Sequence, residues 1–138
     1  MTIHVMSREN AIKYSCQQNS EISAVISISD WDKDSPILEN NPDNSIIARC
    51  KLKFNDVDRG GENAITGADA HKIVMFVAEI KENVDRLIVH CEAGVSRSAG
   101  VAAAIMKALY NDDREIFNSR RYRPNMTCYR MVLNAFYN

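Results

Sequence analysis

The sequence predicts an α/β domain with a central, mostly parallel sheet flanked by helices, and three observations carry that prediction. Short β-branched runs alternate along the chain with segments of helical period. The apolar run Arg86 to His90 leads almost at once into a long segment of small and apolar residues, the pattern of a central parallel strand feeding a buried helix. No internal repeat or low-complexity tract interrupts the chain, and its prolines and glycines fall between elements, so a single domain over residues 1–138 is expected.

Taken in order, Ile3 to Met6 reads as a short strand, and Ser7 caps a helix over Arg8 to Tyr14. Ala24 to Ser29 (Ala-Val-Ile-Ser-Ile-Ser) reads as a second strand, and the polar, proline-containing stretch Asp30 to Ser45 as a long surface loop. Ile46 to Phe54 is a third strand. Gly60-Gly61 breaks the chain before a helix from about Gly67 to Asn83, in which Ala70, Ile73, Val74, Val77 and Ile80 recur at helical spacing and His71 falls off the stripe. After the strand Arg86 to His90 come a helix over Ser98 to Tyr110 and two further helical patterns, Asp112 to Ser119 and Asn125 to Tyr137. In such sheets ligands sit beyond the carboxyl ends of the strands, so the loops after Ser29, Phe54 and His90 are the ones to search.

Composition narrows the function classes. The chain has 138 residues, 46% hydrophobic and 25% charged, and 17 basic against 18 acidic side chains give a net charge of −1. That balance argues against nonspecific nucleic-acid binding. The apolar runs are too short for a membrane span, and Met-Thr-Ile-His-Val lacks the basic-then-apolar order of a signal peptide, so no membrane association and a cytoplasmic, reducing setting are expected. Cys16, Cys50, Cys91 and Cys128 form no CxxC pair and no ligand spacing with His4, His71 or His90, so a zinc site is not expected; no other cofactor is expected either.

The loop after the central strand reads His90-Cys91-Glu92-Ala93-Gly94-Val95-Ser96-Arg97-Ser98. Successive backbone N–H groups in a tight strand-to-helix loop form an anion nest, and the following helix adds the positive end of its dipole. Gly94 lets the backbone bend inward without a Cβ. Arg97 supplies a planar fork for two phosphate oxygens. The same field favours the thiolate of a cysteine placed as Cys91 is. A buried core cysteine beside a capping serine is the plainer alternative.

This segment resembles the signature loop Cys-x5-Arg-Ser/Thr of the cysteine-dependent protein tyrosine phosphatase superfamily, in the Ala-Gly-x-Ser-Arg-Ser form of its dual-specificity branch and of small phosphatase-like proteins in bacteria. A rhodanese loop also begins with cysteine but lacks the Gly-x-Ser-Arg-Ser run. The resemblance extends from about Ile46 to Leu133 and is weaker before it, although Ile-His-Val-Met-Ser-Arg is similar to the opening of the small bacterial proteins. It implies a phosphotyrosine-phosphatase-like fold and metal-free hydrolysis of a phosphomonoester, either a phosphorylated protein or a small molecule. Cys91 is then the nucleophile, and Arg97 with the amides of Glu92, Ala93, Gly94, Val95 and Ser96 binds the phosphoryl oxygens. Ser98 assists the departure of the cysteine sulfur. His90 ties the loop down and tunes the thiolate. Asn125, in Arg-Tyr-Arg-Pro-Asn, opens the last helix and braces the loop.

The reaction needs one carboxyl group as general acid and then base. Asp56 and Asp58, in Phe54-Asn55-Asp56-Val57-Asp58, are the candidates. In the family that the loop resembles, the usual spacing of the acid from the cysteine slightly favours Asp58, whereas its usual place directly after the strand, often as Asn-Asp, favours Asp56, which is the first choice. The second hypothesis for the whole chain is a phospho-ligand binding module with little or no turnover.

Other features carry weaker signals. Asp30-Trp31-Asp32-Lys33-Asp34 resembles the start of a haloacid-dehalogenase motif or of a calcium loop, but lacks the residues either needs further on. Trp31 is expected to pack in the core or anchor its loop, or else to line the pocket rim. The arginines at 114, 120, 121, 123 and 130 form a solvated face or steer a phosphorylated partner. Cys16, Cys50 and Cys128 read as buried thiols, with Cys50 the first candidate for a reversible disulfide to Cys91. Glu92 and the absence of lysines within the loop disfavour highly anionic lipid substrates.

Overall fold

The structure is a computed structural model that describes residues 1–39 and 44–138. Strands β1 (Thr2–Met6), β2 (Asn19–Ser29), β3 (Asn44–Lys53) and β4 (Arg86–His90) form one sheet in the order β1-β4-β2-β3. Every pairing among them is parallel. The helices are α1 (Arg8–Ser15), α2 (Gly67–Ile80), α3 (Arg97–Tyr110), α4 (Arg114–Phe117) and α5 (Met126–Tyr137).

Alternation along the strands assigns the two faces. Ala24, Ile26 and Ile28 of β2 and Leu87 and Val89 of β4 enter the main core with Ile73 and Val77 of α2, Val101 and Ile105 of α3 and Val132 of α5. Val25 and Ile88 point the other way, against Tyr14 of α1 and the flanking Leu38. The sheet is thus covered on both sides, as the near-continuous apolar reading of β4 requires. From Arg97 to Met106 α3 is buried on all sides, and its run of alanines lets it lie close to the sheet.

Several boundaries differ from the sequence reading. Strand β2 begins at Asn19, five residues before Ala24, because a polar extension continues the pairing past a register shift near Ser23. Strand β3 begins at Asn44 and ends at Lys53; Phe54 lies beyond it but still donates its N–H to the Ser29 carbonyl at 3.0 Å. Helix α2 stops at Ile80, where the Asn83 N–H turns back to the Ile80 carbonyl. Only Arg114–Phe117 of the expected helix over 112–119 is helical, since the Asp112 carboxylate captures the Arg114 N–H in a local turn. The middle of the expected loop over 30–45, residues 40–43, lies outside the described residues. Its first part is pinned to the body: Arg8 donates to the Asp34 carbonyl at 3.0 Å and Arg49 to the Pro36 carbonyl at 2.7 Å. Among the described residues, no helix is long and apolar enough to cross a membrane.

Candidate active site

The carboxyl ends of β2, β3 and β4 bring three loops together, and the loop from Cys91 to Ser96 lies between β4 and α3. Three of its carbonyls are held by the scaffold. Glu92 O accepts from Arg8 N, Val95 O from Arg123 N, and Ser96 O from both Asn125 N and Gly100 N, all at 2.9–3.0 Å. None of its amides from Glu92 to Arg97 has a hydrogen-bond acceptor among the described residues. A loop that turns its acceptors to the scaffold and leaves its donors unpaired is built to receive an anion.

Gly94 is required for two reasons. Its φ is +69°, and a Cβ there would stand 2.6 Å from the Met6 carbonyl carbon and from Ser7 N, at the β1–α1 junction. The sequence signals the first requirement; the second comes from the packing of the loop against a segment almost ninety positions earlier in the chain.

Cys91 is buried, and its Sγ lies 3.0 Å from Ser98 Oγ. Arg97, only 5% exposed, is held by one nitrogen: Nη1 donates to the Phe54 carbonyl at 2.8 Å and pairs with Asp30 Oδ1 at 2.8 Å. Its Nε is buried and has no hydrogen-bond partner among the described residues. In a guanidinium, Nε and Nη2 form the side-on edge that meets two oxygens of a tetrahedral anion. The anchored atom is therefore off that edge, and the orphaned donor is on it.

Asp56 Oδ1 accepts from Ser96 Oγ and from Asn125 Nδ2, each at 2.8 Å, while the carboxylate as a whole is exposed. Asn125 is the hub of this contact. Its Nδ2 also donates to the Val57 carbonyl, and its Oδ1 caps α5 through Cys128 N. Ser96 occupies the N-cap position of α3 without making the usual side-chain cap, because its hydroxyl is committed to Asp56. Asp58 is tied only through its carbonyl, which accepts from Thr127 Oγ1; its exposed carboxylate has no hydrogen-bond or ion-pair partner among the described residues.

A sequence profile of the family described as "Dual specificity phosphatase, catalytic domain" matches residues 3–136. The chain belongs to that family. Solved structures agree in fold. The human tyrosine phosphatase-like serine/threonine/tyrosine-interacting protein is similar at 17% identity, covering 96% of this chain and 89% of that one, with a TM-score of 0.68. Human DUSP28 is similar at 13% identity over 98% and 91%, TM-score 0.67. PTPMT1, in complex with PI(5)P, is similar at 17% identity over 99% and 90%, TM-score 0.61. No curated protein sequence matches the chain closely enough to count as a relative. The likeness of the opening segment to small bacterial proteins finds no support among these neighbours.

In this dual-specificity domain His90 is fully buried, with Nε2 2.7 Å from Ser27 Oγ and Nδ1 3.5 Å from the Cys91 carbonyl. Burial above all, then the charges of Arg49 and Arg8, lower its pKa to about 4. Cys128, at the start of α5, is buried, and that burial, then the charge of Asp56, pushes its thiol up to about 12.

Three sequence expectations are corrected. Cys16 is exposed, not buried, because it stands at the C-cap of α1. Cys50 is not a disulfide partner for Cys91: it registers with Ile26, which registers with Val89, two residues before Cys91. Two strand spacings of about 4.8 Å put those Cα atoms about 10 Å or more apart, beyond the roughly 7 Å a disulfide spans. Trp31 is 58% exposed, so it is not a core residue; its backbone N–H donates to Asn55 Oδ1.

Asp30 is the site residue the sequence reading missed. In the sequence it stands only in a segment that resembles a nucleophile or calcium motif, and nothing local marks it as the partner of a guanidinium. Its position directly after β2, at a carboxyl end of the sheet, is the signal that the sequence offers.

Proposed function

We propose that this phosphatase domain hydrolyses phosphomonoesters on proteins, phosphotyrosine alone or with phosphoserine and phosphothreonine, through a cysteinyl-phosphate. The observation that carries the reading is the set of unpaired donors between Cys91 and Arg97: the loop amides and the buried Nε of Arg97. These donors match the equatorial oxygens of a phosphoryl group and are preorganised for charge that grows in the transition state.

Cys91 Sγ, as thiolate, attacks phosphorus while the bond to the ester oxygen breaks, and Asp56 gives that oxygen a proton. Fixing Oδ1 through Ser96 and Asn125 leaves Oδ2 free to carry the proton. In the second step Asp56 takes a proton from water, the water oxygen bonds to phosphorus, and the sulfur leaves with the Ser98 hydroxyl donating to it. Asp58 has no comparable tether to the signature loop, which favours Asp56. Trp31 offers an exposed aromatic surface on the segment whose Asp30 meets Arg97, which favours an aryl ester. Glu92 is exposed on the loop itself and disfavours densely anionic substrates.

A phospho-ligand binding module is the second reading; the first neighbour named above is itself called phosphatase-like and interacting. Turnover of an aryl phosphate under reducing conditions decides between them. The proposal expects turnover that vanadate blocks and Cys91→Ser abolishes. Binding of a phosphopeptide without any turnover by the wild type would establish the module instead.

A further inference from the structure

Behind the signature loop, on the α1 side of the sheet, a chain of polar groups crosses three strands. Arg49 Nε on β3 donates to Ser27 Oγ on β2 at 2.8 Å, and Ser27 Oγ lies 2.7 Å from His90 Nε2 on β4. Ser27 and His90 are both fully buried. Past His90 the chain ends at the Cys91 carbonyl, facing Nδ1. A second nitrogen of Arg49, Nη2, holds the Pro36 carbonyl in the segment that follows Asp30.

We infer that Arg49 and Ser27 are positioning residues for the reaction, fixing His90 as the neutral tautomer with its proton on Nδ1 and coupling the Asp30 segment to the Cys91 loop.

The direction of each bond follows from the inventory of protons. A guanidinium only donates, so Ser27 Oγ accepts from Arg49 and its single proton is turned elsewhere. The acceptor within reach is His90 Nε2, and it accepts only if it carries no proton. A neutral imidazole then holds its proton on Nδ1, directed at the Cys91 carbonyl. Protonating Nε2 would force Ser27 to accept twice and strand a buried hydroxyl proton, a costly arrangement. It would also add a cation facing Arg49 of β3 and Arg8 of α1, in keeping with the lowered pKa of His90. The Nδ1–H in turn orients the first peptide of the loop, on which the line of attack of Cys91 depends. Neither Arg49 nor Ser27 touches the anion site; Ser27 acts through His90, and Arg49 through His90 and through the Pro36 carbonyl of the Asp30 segment.

This inference rests on the phosphatase reading, and two measurements separate their failures. NMR of labelled imidazole nitrogens reports the tautomer without any turnover. We expect a bare Nε2 and a protonated Nδ1 at pH 7 in the wild type, a distinction that Ser27→Ala or Arg49→Met blurs; a wild-type proton on Nε2 overturns the inference, whatever the activity. In kinetics, Ser27→Ala and Arg49→Met should lower kcat about tenfold, the scale of one buried hydrogen bond, with little change in KM. Ser27→Thr, which keeps the hydroxyl, should recover most of kcat, and Arg49→Lys, which keeps charge without the Nε donor, should not. Wild-type kcat in both Ser27→Ala and Arg49→Met overturns the inference, as does full rescue by Arg49→Lys. If Ser27→Ala does not fold, the wild-type tautomer and the Arg49→Met and Arg49→Lys pair decide. A wild type that turns over no phosphomonoester refutes the phosphatase reading and leaves the tautomer to be judged alone.

Discussion

Replacing Gly94 by alanine tests the anion nest through its backbone alone, without removing a charged or nucleophilic group. The added Cβ would meet the Met6 carbonyl carbon and Ser7 N at 2.6 Å and Met6 O at 2.8 Å. All three are main-chain atoms at the end of β1 and the cap of α1, and the Arg8 N–H to Glu92 carbonyl bond fastens the loop to that same junction. Ordinary carbon–oxygen contact lies near 3.3 Å, so the loop or the junction must yield by about 0.5 Å or more. The left-handed φ of +69° adds roughly 1–2 kcal/mol of strain for a residue with a Cβ. Overpacking adds about 1–3 kcal/mol more. A nest displaced on that scale loses alignment with the phosphoryl oxygens, and a misplacement approaching 1 Å costs on the order of a hundredfold in rate. The assay is kcat/KM for an aryl phosphate together with vanadate affinity, measured below the lowered melting temperature. Both should fall together, vanadate affinity at least tenfold. A Gly94→Ala protein with wild-type kcat/KM and wild-type vanadate affinity refutes the reasoning that the loop amides bind the anion.

Three further outcomes are expected. Asp56→Asn should lower kcat about a hundredfold or more and flatten the pH dependence of kcat, with oxyanion binding retained, whereas Asp58→Asn should stay within a few-fold of wild type; the reverse result assigns the acid to Asp58. Asp30→Ala should raise KM and lower kcat/KM for an aryl phosphate by about tenfold to a hundredfold, because Arg97 Nη1 keeps only the Phe54 carbonyl to fix its plane; unchanged kcat/KM would show that the carboxylate does not position the guanidinium. His90 has a folded-state pKa of about 4 against an ordinary 6.5, so the unfolded chain binds its proton first on acidification. Its contribution to stability is complete above pH 6.5 and is lost as the pH falls toward 4, about 3 kcal/mol over that window. Denaturant unfolding across the window should therefore show a smaller loss for His90→Asn than for wild type, and equal losses would contradict the buried neutral imidazole.

What could be read in the sequence is what is local. The strand, the turn with its glycine and the helix start occur within a dozen residues, so the Cys91 loop and α3 are legible there, as is the apolar stripe of α2. Two aspartates stand as candidate acid in the sequence, with Asp56 first, and the contact that further favours Asp56 is made by Asn125, 69 positions away in the chain. Asp30 and Arg97 meet only because β2 and β4 are neighbours in the sheet, although the strand between them in chain order, β3, lies outside both. Ser27 and His90, 63 positions apart, are paired by the same parallel register. Serines in β2 read as ordinary interruptions of an apolar strand until the neighbouring strand supplies their partners. Of the alternatives open for Trp31, core packing fails for a related reason: its hydrophobicity predicts burial, while its place on a segment held by its backbone does not require it.

The most direct test of the account is rapid-quench trapping of the phosphorylated enzyme. Mixing the reduced protein with an aryl phosphate carrying a labelled phosphoryl group should release phenol in a burst, with label on Cys91 up to one equivalent per chain. Asp56→Asn should prolong the life of that adduct, and Cys91→Ser should abolish both burst and label. Turnover without a burst and without label on Cys91, or with label on another residue, would contradict the cysteinyl-phosphate mechanism.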